Sequence, residues 1–417
     1  MQYRKRLAKL RCAREALKRD SQRGTGFHSM RGKLNSNSIR QLNTAMVFHA
    51  IREKPGVSQS RLRDQTSIDR TTVSTIIANL EKAGLVLRAR SGAANGFGRP
   101  EASLRINPEA GVLLGIVAEK SFVSVSTAGL NGTIRTHERL PVVTSAWSSG
   151  DIVRQIVGLC EEVISVHSPI VGAGVVMPQD EPSIDGSRAS HDRLDALIRE
   201  EIRRIVPAPV GLETELNALA LAERRFGVMR GVRNFIVVQG GSTIRGALFL
   251  DDRIFRGNHD RAGQIGHVKV VPNGAECSCG GRGCLNAYLC EEALLRRLAE
   301  FHHRARLMRL AEIAMQKNDA LVKTVLSEAG SYLGIVLANA MNHLDVRDIV
   351  LGGDLALIAD GVVPAVRSAL ANNLLGGDVA SVNIFRSAVD QSSPTTASIA
   401  LALEAFQPLD SGVLLDK

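Results

Sequence analysis

The chain has 417 residues, of which 44% are hydrophobic and 23% charged, a composition typical of globular proteins with substantial cores. This length allows roughly two or three domains. No run of about eighteen apolar residues predicts a membrane span, and the charged N-terminus lacks the apolar stretch of a secretory signal. Of six cysteines, three lie close together, which fits a reducing compartment, and we expect a cytoplasmic protein.

The positive charge is concentrated at the beginning of the chain. Residues 1–40 carry a net charge of +10, residues 41–105 carry +5, and the remainder carries −5. A basic N-terminal region ahead of a mildly acidic remainder indicates that the N-terminal region binds a polyanion. We expect residues 1–37 to form a basic, disordered arm that adds salt-dependent affinity for phosphates. A tail without function and a natural start at Met30 are the alternatives.

Residues 38–106 show the pattern of a winged helix-turn-helix domain. The first helix is marked by Leu42, Met46, Val47 and Ala50 and ends at Lys54-Pro55-Gly56. Ser58 can cap the second helix and Asp69 the third. The third helix has one core-facing stripe, formed by Val73, Ile76, Ile77 and Leu80. Its opposite face suits the DNA major groove, and the contacts predicted there are Arg70, Thr71, Thr72, Ser74 and Thr75.

A glycine-rich loop between two short strands predicts the wing. The strands are expected at 85–87 and 103–106, with the loop at 91–100 between them. Arg99, in Gly98-Arg99-Pro100, can lie against phosphate or the narrow minor groove and is a further predicted DNA contact. A homodimer would place two recognition helices on half-sites of a double-stranded operator. A three-helix module used for protein contacts is the alternative.

One histidine and three cysteines have the spacing of a metal site. His267, Cys277, Cys279 and Cys284 are ligands of the types that tetrahedral Zn²⁺ prefers. Gly280, Gly281 and Gly283 allow the tight turns of a zinc knuckle. Because protein fills all four positions, we predict a structural zinc without a catalytic water. The alternative is a core histidine beside unrelated cysteines.

The rest of the chain alternates between strands and helices. Apolar strand patterns occur at 112–117, 122–126, 171–176, 235–238, 246–250 and 349–353, and a helix pattern occurs at 149–167. This alternation predicts an α/β architecture. Two similar rounds predict two lobes with a cleft between them, where ligands commonly bind.

The zinc region carries a resemblance to a known family. The segments Arg256-Gly257, Ala262-Gly263-Gln264-Ile265-Gly266-His267, Cys277-Ser278-Cys279-Gly280 and Gly283-Cys284-Leu285 resemble the signature of the ROK family (repressors, open reading frames and sugar kinases). The N-terminal module resembles the winged helix-turn-helix of that family's regulators for N-acetylglucosamine, xylose and related sugars. The resemblance spans about residues 30–410.

The resemblance implies an architecture and an assembly. It implies a two-lobed actin/hexokinase-like (ribonuclease H-like) fold, a structural zinc beside a sugar pocket, and homodimers or homotetramers. Lobe 1 is then expected at 107–232, completed by a helix near 393–407, and lobe 2 with the zinc site at 233–392.

The motifs that serve ATP in the family's kinases are altered here. The first phosphate loop, Asp-x-Gly-Gly-Thr, is replaced by residues 117–121, Val-Ala-Glu-Lys-Ser, which lack bare glycine amides. The second, Gly-Thr-Gly-Ile-Gly, is replaced by residues 241–245, Gly-Ser-Thr-Ile-Arg, and only the turn Gly352-Gly353 survives. The catalytic aspartate is replaced by Glu215, whose longer side chain displaces the carboxylate. We therefore predict a protein that is not an enzyme.

The family's sugar contacts are altered as well. Two glutamates of the family pattern have become Gln264 and Asn286. Amides still donate and accept hydrogen bonds, so a neutral sugar can bind, and the lost charges also allow an acidic or phosphorylated one. The predicted effector site consists of Thr214, Glu215, Gln264, His267 and Asn286. A pocket that has lost its ligand is the alternative.

The sequence as a whole predicts a DNA-binding regulator. We expect a repressor of carbohydrate uptake or catabolism genes that responds to a sugar in the lobe cleft. The alternatives are a ROK sugar kinase with a fused DNA-binding module and a DNA-binding dimer that responds to no ligand.

Overall fold

The chain forms two compact units, residues 1–110 with 407–417 and residues 111–406. The computed structural model describes residues 36–90, 102–119, 122–141, 149–167, 169–177, 197–198, 200–206, 208–258, 260–298, 320–389 and 394–408. Residues 1–35 of the predicted arm lie outside the described residues. The predicted wing loop, residues 91–100, lies outside them as well.

The small unit contains a helix-turn-helix followed by a β-hairpin. Its described elements are α1 (Ser36–Glu53), α2 (Gln59–Thr66), α3 (Arg70–Lys82), β1 (Val86–Arg90) and β2 (Ala102–Ile106). The hairpin is antiparallel, and Val57, just before α2, forms a bridge to Leu104. Gly84 has a φ of 70°, a left-handed conformation that lets the chain turn from α3 into β1.

The core of the small unit contains the predicted stripe of α3 but only some of the residues that marked α1. Val73, Ile76, Ile77 and Leu80 are buried. In α1, by contrast, Leu42 is 58% and Met46 is 40% exposed. The buried side of α1 is formed by Thr44, Val47, Phe48 and Ile51. The apolar residues of α1 surround much of the helix, so the sequence pattern alone did not select the core-facing side.

The large unit contains two five-stranded sheets with the same topology. The first has the order β5-β4-β3-β6-β7 and the second the order β10-β9-β8-β11-β12. In each, the first three strands are antiparallel and the last three parallel. The strands of the first sheet are β3 (Val112–Ala118), β4 (Phe122–Gly129), β5 (Ile134–Pro141), β6 (Ile170–Met177) and β7 (Val210–Thr214). Those of the second are β8 (Phe235–Gly240), β9 (Arg245–Leu250), β10 (Arg253–Phe255), β11 (Asp348–Gly353) and β12 (Asn383–Arg386).

Helices cover the sheets and fill the space between them. They are α4 (Ser149–Val166), α5 (Glu215–Arg225), α6 (Asn286–Leu289), α7 (Glu291–Leu298), α8 (Ala320–Leu344), α9 (Asp354–Leu357), α10 (Ala359–Asn373) and α11 (Thr395–Ala405). Helices α8 and α10 pack against each other, while α11 packs on β3, β6 and β7. One core cluster contains residues of α5, α11 and both sheets, including Val176, Phe235 and Val237. The α/β class, with a helix-turn-helix and hairpin ahead of two sheets, is thereby confirmed.

One described helix, α8, is long and apolar enough by length and composition to cross a membrane. Half of its most apolar window is buried inside the molecule. Leu326, Leu333 and Leu337 of this helix belong to the core of the second sheet. A core helix of a globular protein has the same composition.

Candidate functional site

The third helix presents its polar face to solvent. Its N-cap, Asp69, accepts a hydrogen bond of 2.8 Å from the backbone amide of Thr72. The hydrogen bonds from Thr72 lower the pKa of the Asp69 carboxyl, so the cap stays ionised at neutral pH. Four of the predicted DNA contacts are exposed and Thr72 is half-buried; the exposed ones are Arg70, Thr71, Ser74 and Thr75. The face opposite the core stripe is therefore available to DNA.

The arginines around the hairpin are not equivalent. Arg88, on β1, pairs with Glu81 on α3 through hydrogen bonds of 2.6 and 3.0 Å. This ion pair therefore joins β1 to α3. Arg99, the predicted minor-groove contact, lies outside the described residues.

The histidine and three cysteines lie together in one cluster, the metal cluster, formed by His267, Cys277, Cys279 and Cys284. Their ligand atoms all lie within 4.8 Å of one another. Cys279 Sγ is 3.7 Å from Cys284 Sγ, and His267 Nδ1 is 3.7 Å from Cys277 Sγ. A tetrahedral zinc with bonds of about 2.3 Å to sulfur and 2.0–2.1 Å to nitrogen separates two sulfurs by about 3.8 Å and nitrogen from sulfur by about 3.6 Å. The cluster therefore fits a tetrahedral metal ion.

Backbone turns of the knuckle bring these ligands together. The amide of Cys277 bonds to the carbonyl of Gly281, and the amide of Gly280 bonds back to Cys277. Gly283 has a φ of 74°, and a Cβ there would lie 1.8 Å from the carbonyl oxygen of Val271. Only glycine fits this position, so Gly283 is required by the close approach of two backbone segments.

A lysine compensates the charge of the thiolates. Lys269 Nζ lies 3.1 Å from Cys284 Sγ, and this contact raises the pKa of the Lys269 ammonium. Three thiolates and a neutral histidine would leave a Zn²⁺ site with a net charge of −1, which the ammonium balances. The donor set and its surroundings both fit a closed structural site.

Polar side chains from the two sheets meet where β7 passes into α5. We call Glu213, Glu215, Gln239, Arg245 and Arg256 the interlobe cluster. Glu215 Oε2 lies 3.9 Å from Arg245 Nη2, and its other oxygen accepts a hydrogen bond of 3.5 Å from Gln239. The carboxylate of Glu215 thus lies between Arg245 and Gln239.

A second ion pair lies beside the first. Glu213 is only 5% exposed and accepts hydrogen bonds from the Arg256 guanidinium and, at 3.0 Å, from the side-chain amide of Asn217. Burial of a carboxylate is tolerated here because a cation and an amide satisfy it.

Three other predicted effector residues lie near the strand that carries Arg245. Asn286 is 4% exposed, and its Oδ1 accepts a hydrogen bond of 2.6 Å from the amide of Ile244, the neighbour of Arg245. A Cβ on Gly266, the neighbour of His267, would lie 2.6 Å from the same Oδ1. The carbonyl of Gln264 accepts from the amide of His267. Gln264, His267 and Asn286 therefore approach the strand that carries Arg245, and Thr214 adjoins Glu215.

Gly241, which follows β8, has an acidic neighbour. A Cβ on Gly241 would lie 3.8 Å from Asp354 Oδ2. Burial, with the nearby Glu291 carboxylate, raises the pKa of the Asp354 carboxyl.

Asp354→Asn is expected to raise the melting temperature at pH 7.5, because it removes a charge that the folded state disfavours. Because the pKa of the Asp354 carboxyl is raised, its ionised form lowers the stability of the folded state at pH values above the folded-state pKa. Below the unfolded-state value, near 3.8, the carboxyl is protonated in both states and lowers the stability no further. The gain should therefore shrink as the pH falls toward 4. Melting curves of both proteins between pH 4.5 and 8 measure it, and a gain of equal size throughout would contradict the assignment.

Sequence reasoning missed four residues of the interlobe cluster, Glu213, Gln239, Arg245 and Arg256. It also missed three buried charges on α5. Glu223 is fully buried and accepts hydrogen bonds from the amides of Ala388 and Val389 at 3.0 and 3.1 Å. The next two residues pair with neighbouring elements, Arg224 with Asp252 and Arg225 with Glu404. Charged residues inside the apolar pattern of α5 were the available signal, since such charges are buried only when paired.

Comparison with known proteins identifies relatives of both units. The model of the ROK family matches residues 151–405, and a model of the MarR family matches residues 41–94. The xylose repressor of Bacillus spizizenii is 24% identical over 374 residues, which cover 88% of this chain and 96% of the repressor.

Two solved structures show the same fold. A ROK family transcriptional regulator, a homologue of the E. coli MLC protein, aligns with a TM-score of 0.73 and 20% identity, over 90% of this chain and 98% of its own. The ROK hexokinase from Thermus thermophilus aligns with a TM-score of 0.59 and 23% identity, over 70% of this chain and 99% of its own. The fold is thus found in a regulator and in a sugar kinase.

Proposed function

Because the chain belongs to the ROK family, we propose that it is a DNA-binding transcriptional regulator that represses genes of carbohydrate uptake or catabolism. The observation that carries this proposal is the polar face of α3, where Arg70, Thr71, Ser74 and Thr75 are exposed opposite a buried stripe. The match of the MarR family model to residues 41–94 and the similarity to a xylose repressor support it. In a helix-turn-helix, this face enters the major groove.

The large unit binds a sugar and does not phosphorylate it. Glu215 is paired with Arg245, so its carboxylate already has a cation as its partner. Asp354 lies beside Gly241, where a kinase needs bare amides for phosphate. The sugar lies against Thr214, Glu215, Gln264, His267 and Asn286, and the repressor changes its DNA affinity only as far as this ligand binds its two states differently.

The metal cluster holds a structural zinc. His267 would hold the metal through Nδ1, the atom that faces Cys277, and this bond would fix the orientation of the ring. The zinc thereby joins the fold of the knuckle to the shape of the effector site. The protein acts in the cytoplasm as a homodimer or homotetramer on a double-stranded operator, because two-fold operators require paired recognition helices.

Selection of bound fragments from the host genome tests the DNA-binding function. Full-length protein at near-physiological salt should retain fragments that share a two-fold-symmetric sequence. Recovery of fragments that share no sequence and dissociate as salt rises would contradict a sequence-specific regulator. Addition of sugars from the pathway encoded next to the selected sites should release the DNA.

The alternative is a sugar kinase with a fused DNA-binding domain, which the likeness of the large unit to the hexokinase fold favours. A coupled assay of ADP release over pentoses, hexoses and amino sugars separates the two functions. Turnover above about 1 s⁻¹, a typical enzyme rate, would establish the kinase and overturn the non-catalytic assignment.

A further inference from the structure

We infer that Glu223 is a positioning residue that holds together the two passages of the chain between the sheets, so that the sheets rotate relative to each other about its carboxylate. The chain passes from the first sheet to the second at residues 226–234, between α5 and β8. It returns after β12, from residue 387 onward, to reach α11, which packs on the first sheet. We call residues 226–234 the outward crossing and residues 387–389 the start of the return crossing.

Glu223 binds the outward crossing through one carboxylate oxygen. The backbone amide of Val228 donates a hydrogen bond of 2.9 Å to Oε2. The turn comes so close that a Cβ on Gly227 would overlap the same oxygen, so this residue must be a glycine while the carboxylate is in place. Met229, two residues further on, is fully buried in the core cluster that contains residues of both sheets. The carboxylate therefore lies against the chain where it leaves α5.

The other carboxylate oxygen binds the start of the return crossing. Oε1 accepts hydrogen bonds from the amides of Ala388 and Val389, at 3.0 and 3.1 Å, and from the hydroxyl of Ser387. These three residues follow β12 directly, so the carboxylate also holds the chain where it leaves the second sheet. One side chain thus joins both crossings, although 165 residues separate Glu223 from Ala388.

The burial of Glu223 makes these contacts strong. The residue is 0% exposed, and a charge without solvent depends on its hydrogen bonds. Four donors converge on its two oxygens, and hydrogen bonds to an ionised acceptor are about twice as strong as those between neutral groups. Moving either crossing away would leave a buried charge short of donors, which is strongly unfavourable. A rotation of one sheet against the other that keeps these bonds must therefore turn about this carboxylate.

The same helix carries a predicted effector residue at its other end. Glu215 begins α5 and faces Arg245 of the second sheet, and Glu223 lies about 12 Å further along the helix axis at 1.5 Å per residue. A ligand that moves the start of α5 against the second sheet therefore turns the helix about its held end. This link to the ligand rests on the proposed sugar response, whereas the joining of the crossings does not.

Hydrogen exchange of the full-length, metal-loaded protein tests the joining of the crossings. Glu223→Gln keeps the size of the side chain but changes one oxygen into an NH₂ group, which faces a donor and cannot accept from it. Amides at 227–229, at 387–389 or at both should exchange roughly tenfold or more faster, as expected for loss of hydrogen bonds to a charged group. Amides of β3 and β11 should keep the wild-type rate. Unchanged exchange at both crossings would overturn the inference.

A milder variant and a matched control accompany this experiment. Ser387→Ala removes one of the four donors, so it should fold even if Glu223→Gln does not, and the amides at 388–389 should exchange roughly threefold or more faster. Wild-type exchange there would contradict the role of Oε1. Glu404→Gln has the same charge change as Glu223→Gln and also removes a carboxylate that contacts α5, through Arg225. This control should leave the exchange of both crossings unaltered.

A distance measurement between the sheets separates a pivot from a merely structural role. Dyes are placed at positions 154 on α4 and 292 on α7, whose side chains are 76% and 80% exposed. They are attached through non-canonical residues, because cysteine labelling would attack the metal cluster, and unlabelled chains are added in excess. The distance distribution should be broader in Glu223→Gln than in wild type and Glu404→Gln. A distribution as narrow as that of wild type in a folded but less stable Glu223→Gln variant would overturn the pivot.

Release of the operator by neutral pentoses, hexoses and amino sugars separates this inference from the proposed function. The sugar that releases wild-type protein should still bind Glu223→Gln, measured by calorimetry, but should change its operator affinity by a smaller factor. An equal factor in the variant would show that the response does not pass through this carboxylate. If no sugar releases the wild-type protein, the proposed sugar response fails, while the exchange and distance results still decide the pivot.

Discussion

Replacing Cys279 with serine is expected to abolish stoichiometric zinc binding and to destabilise the large unit by about 4 kcal/mol or more, the range for loss of a structural metal. For a unit of this size, that corresponds to a melting temperature lower by roughly 10 °C. Treatment of the wild-type protein with a strong chelator should give a similar shift. Metal content by elemental analysis and melting curves by calorimetry measure both effects.

The physical reason is the proximity of three thiols, whose sulfur atoms all lie within 4.8 Å of one another. Cys279 Sγ and Cys284 Sγ are 3.7 Å apart, which suits two thiolates only when a cation lies between them. Burial raises the pKa of the Cys277 thiol to about 11, so the thiol holds its proton near neutral pH until a metal displaces it. Zinc affinity should consequently fall as the pH is lowered.

Cys290→Ser provides the control for this experiment. Cys290 is a free, half-buried cysteine that follows α6 and is not among the ligands of the metal cluster. The Cys290→Ser variant should retain one zinc per chain. A melting curve of Cys279→Ser that coincides with that of wild type would rule out a structural metal at this cluster.

Local sequence signals predicted the parts of the molecule that depend on neighbouring residues. The metal cluster lies within residues 267–284, and glycine turns and short backbone bridges of this segment bring the ligands together, so spacing was sufficient to indicate the cluster. The stripe of α3 was predicted correctly because its apolar residues occupy one side only. In α1, apolar residues occupy several sides, and the exposure of Leu42 and Met46 depends on which side the neighbouring elements cover.

Contacts between distant elements could not be predicted from spacing. The change of a glycine to Arg245 was read as the loss of a phosphate loop, which is a local conclusion. Its approach to Glu215 requires that β9 of one sheet lies beside the start of α5, thirty residues earlier in the chain. The burial of Glu223 has the same origin, because two of its donors, at 388–389, come from the far end of the second sheet. Contacts between residues so far apart in the sequence form only once the elements have packed together, so residue spacing does not predict them.

Arg70→Ala is expected to weaken operator binding by roughly 5- to 150-fold, corresponding to about 1–3 kcal/mol for the loss of a base contact. Arg70 is exposed at the first turn of α3, and residues at the start of a recognition helix reach base edges. Its loss should also relax the sequence preference at one base pair of each half-site. Binding titrations against the selected operator and single-base variants measure both effects.

Arg88→Ala is the matched control because it removes the same charge from the same unit. Its guanidinium is engaged by Glu81, so its loss should change the affinity only a few-fold and leave the base preference unaltered. If Arg70→Ala weakened binding equally for every DNA sequence and reduced the salt dependence by about one counterion, Arg70 would contact phosphate. If it had no effect on binding, α3 would not be the helix that reads the operator.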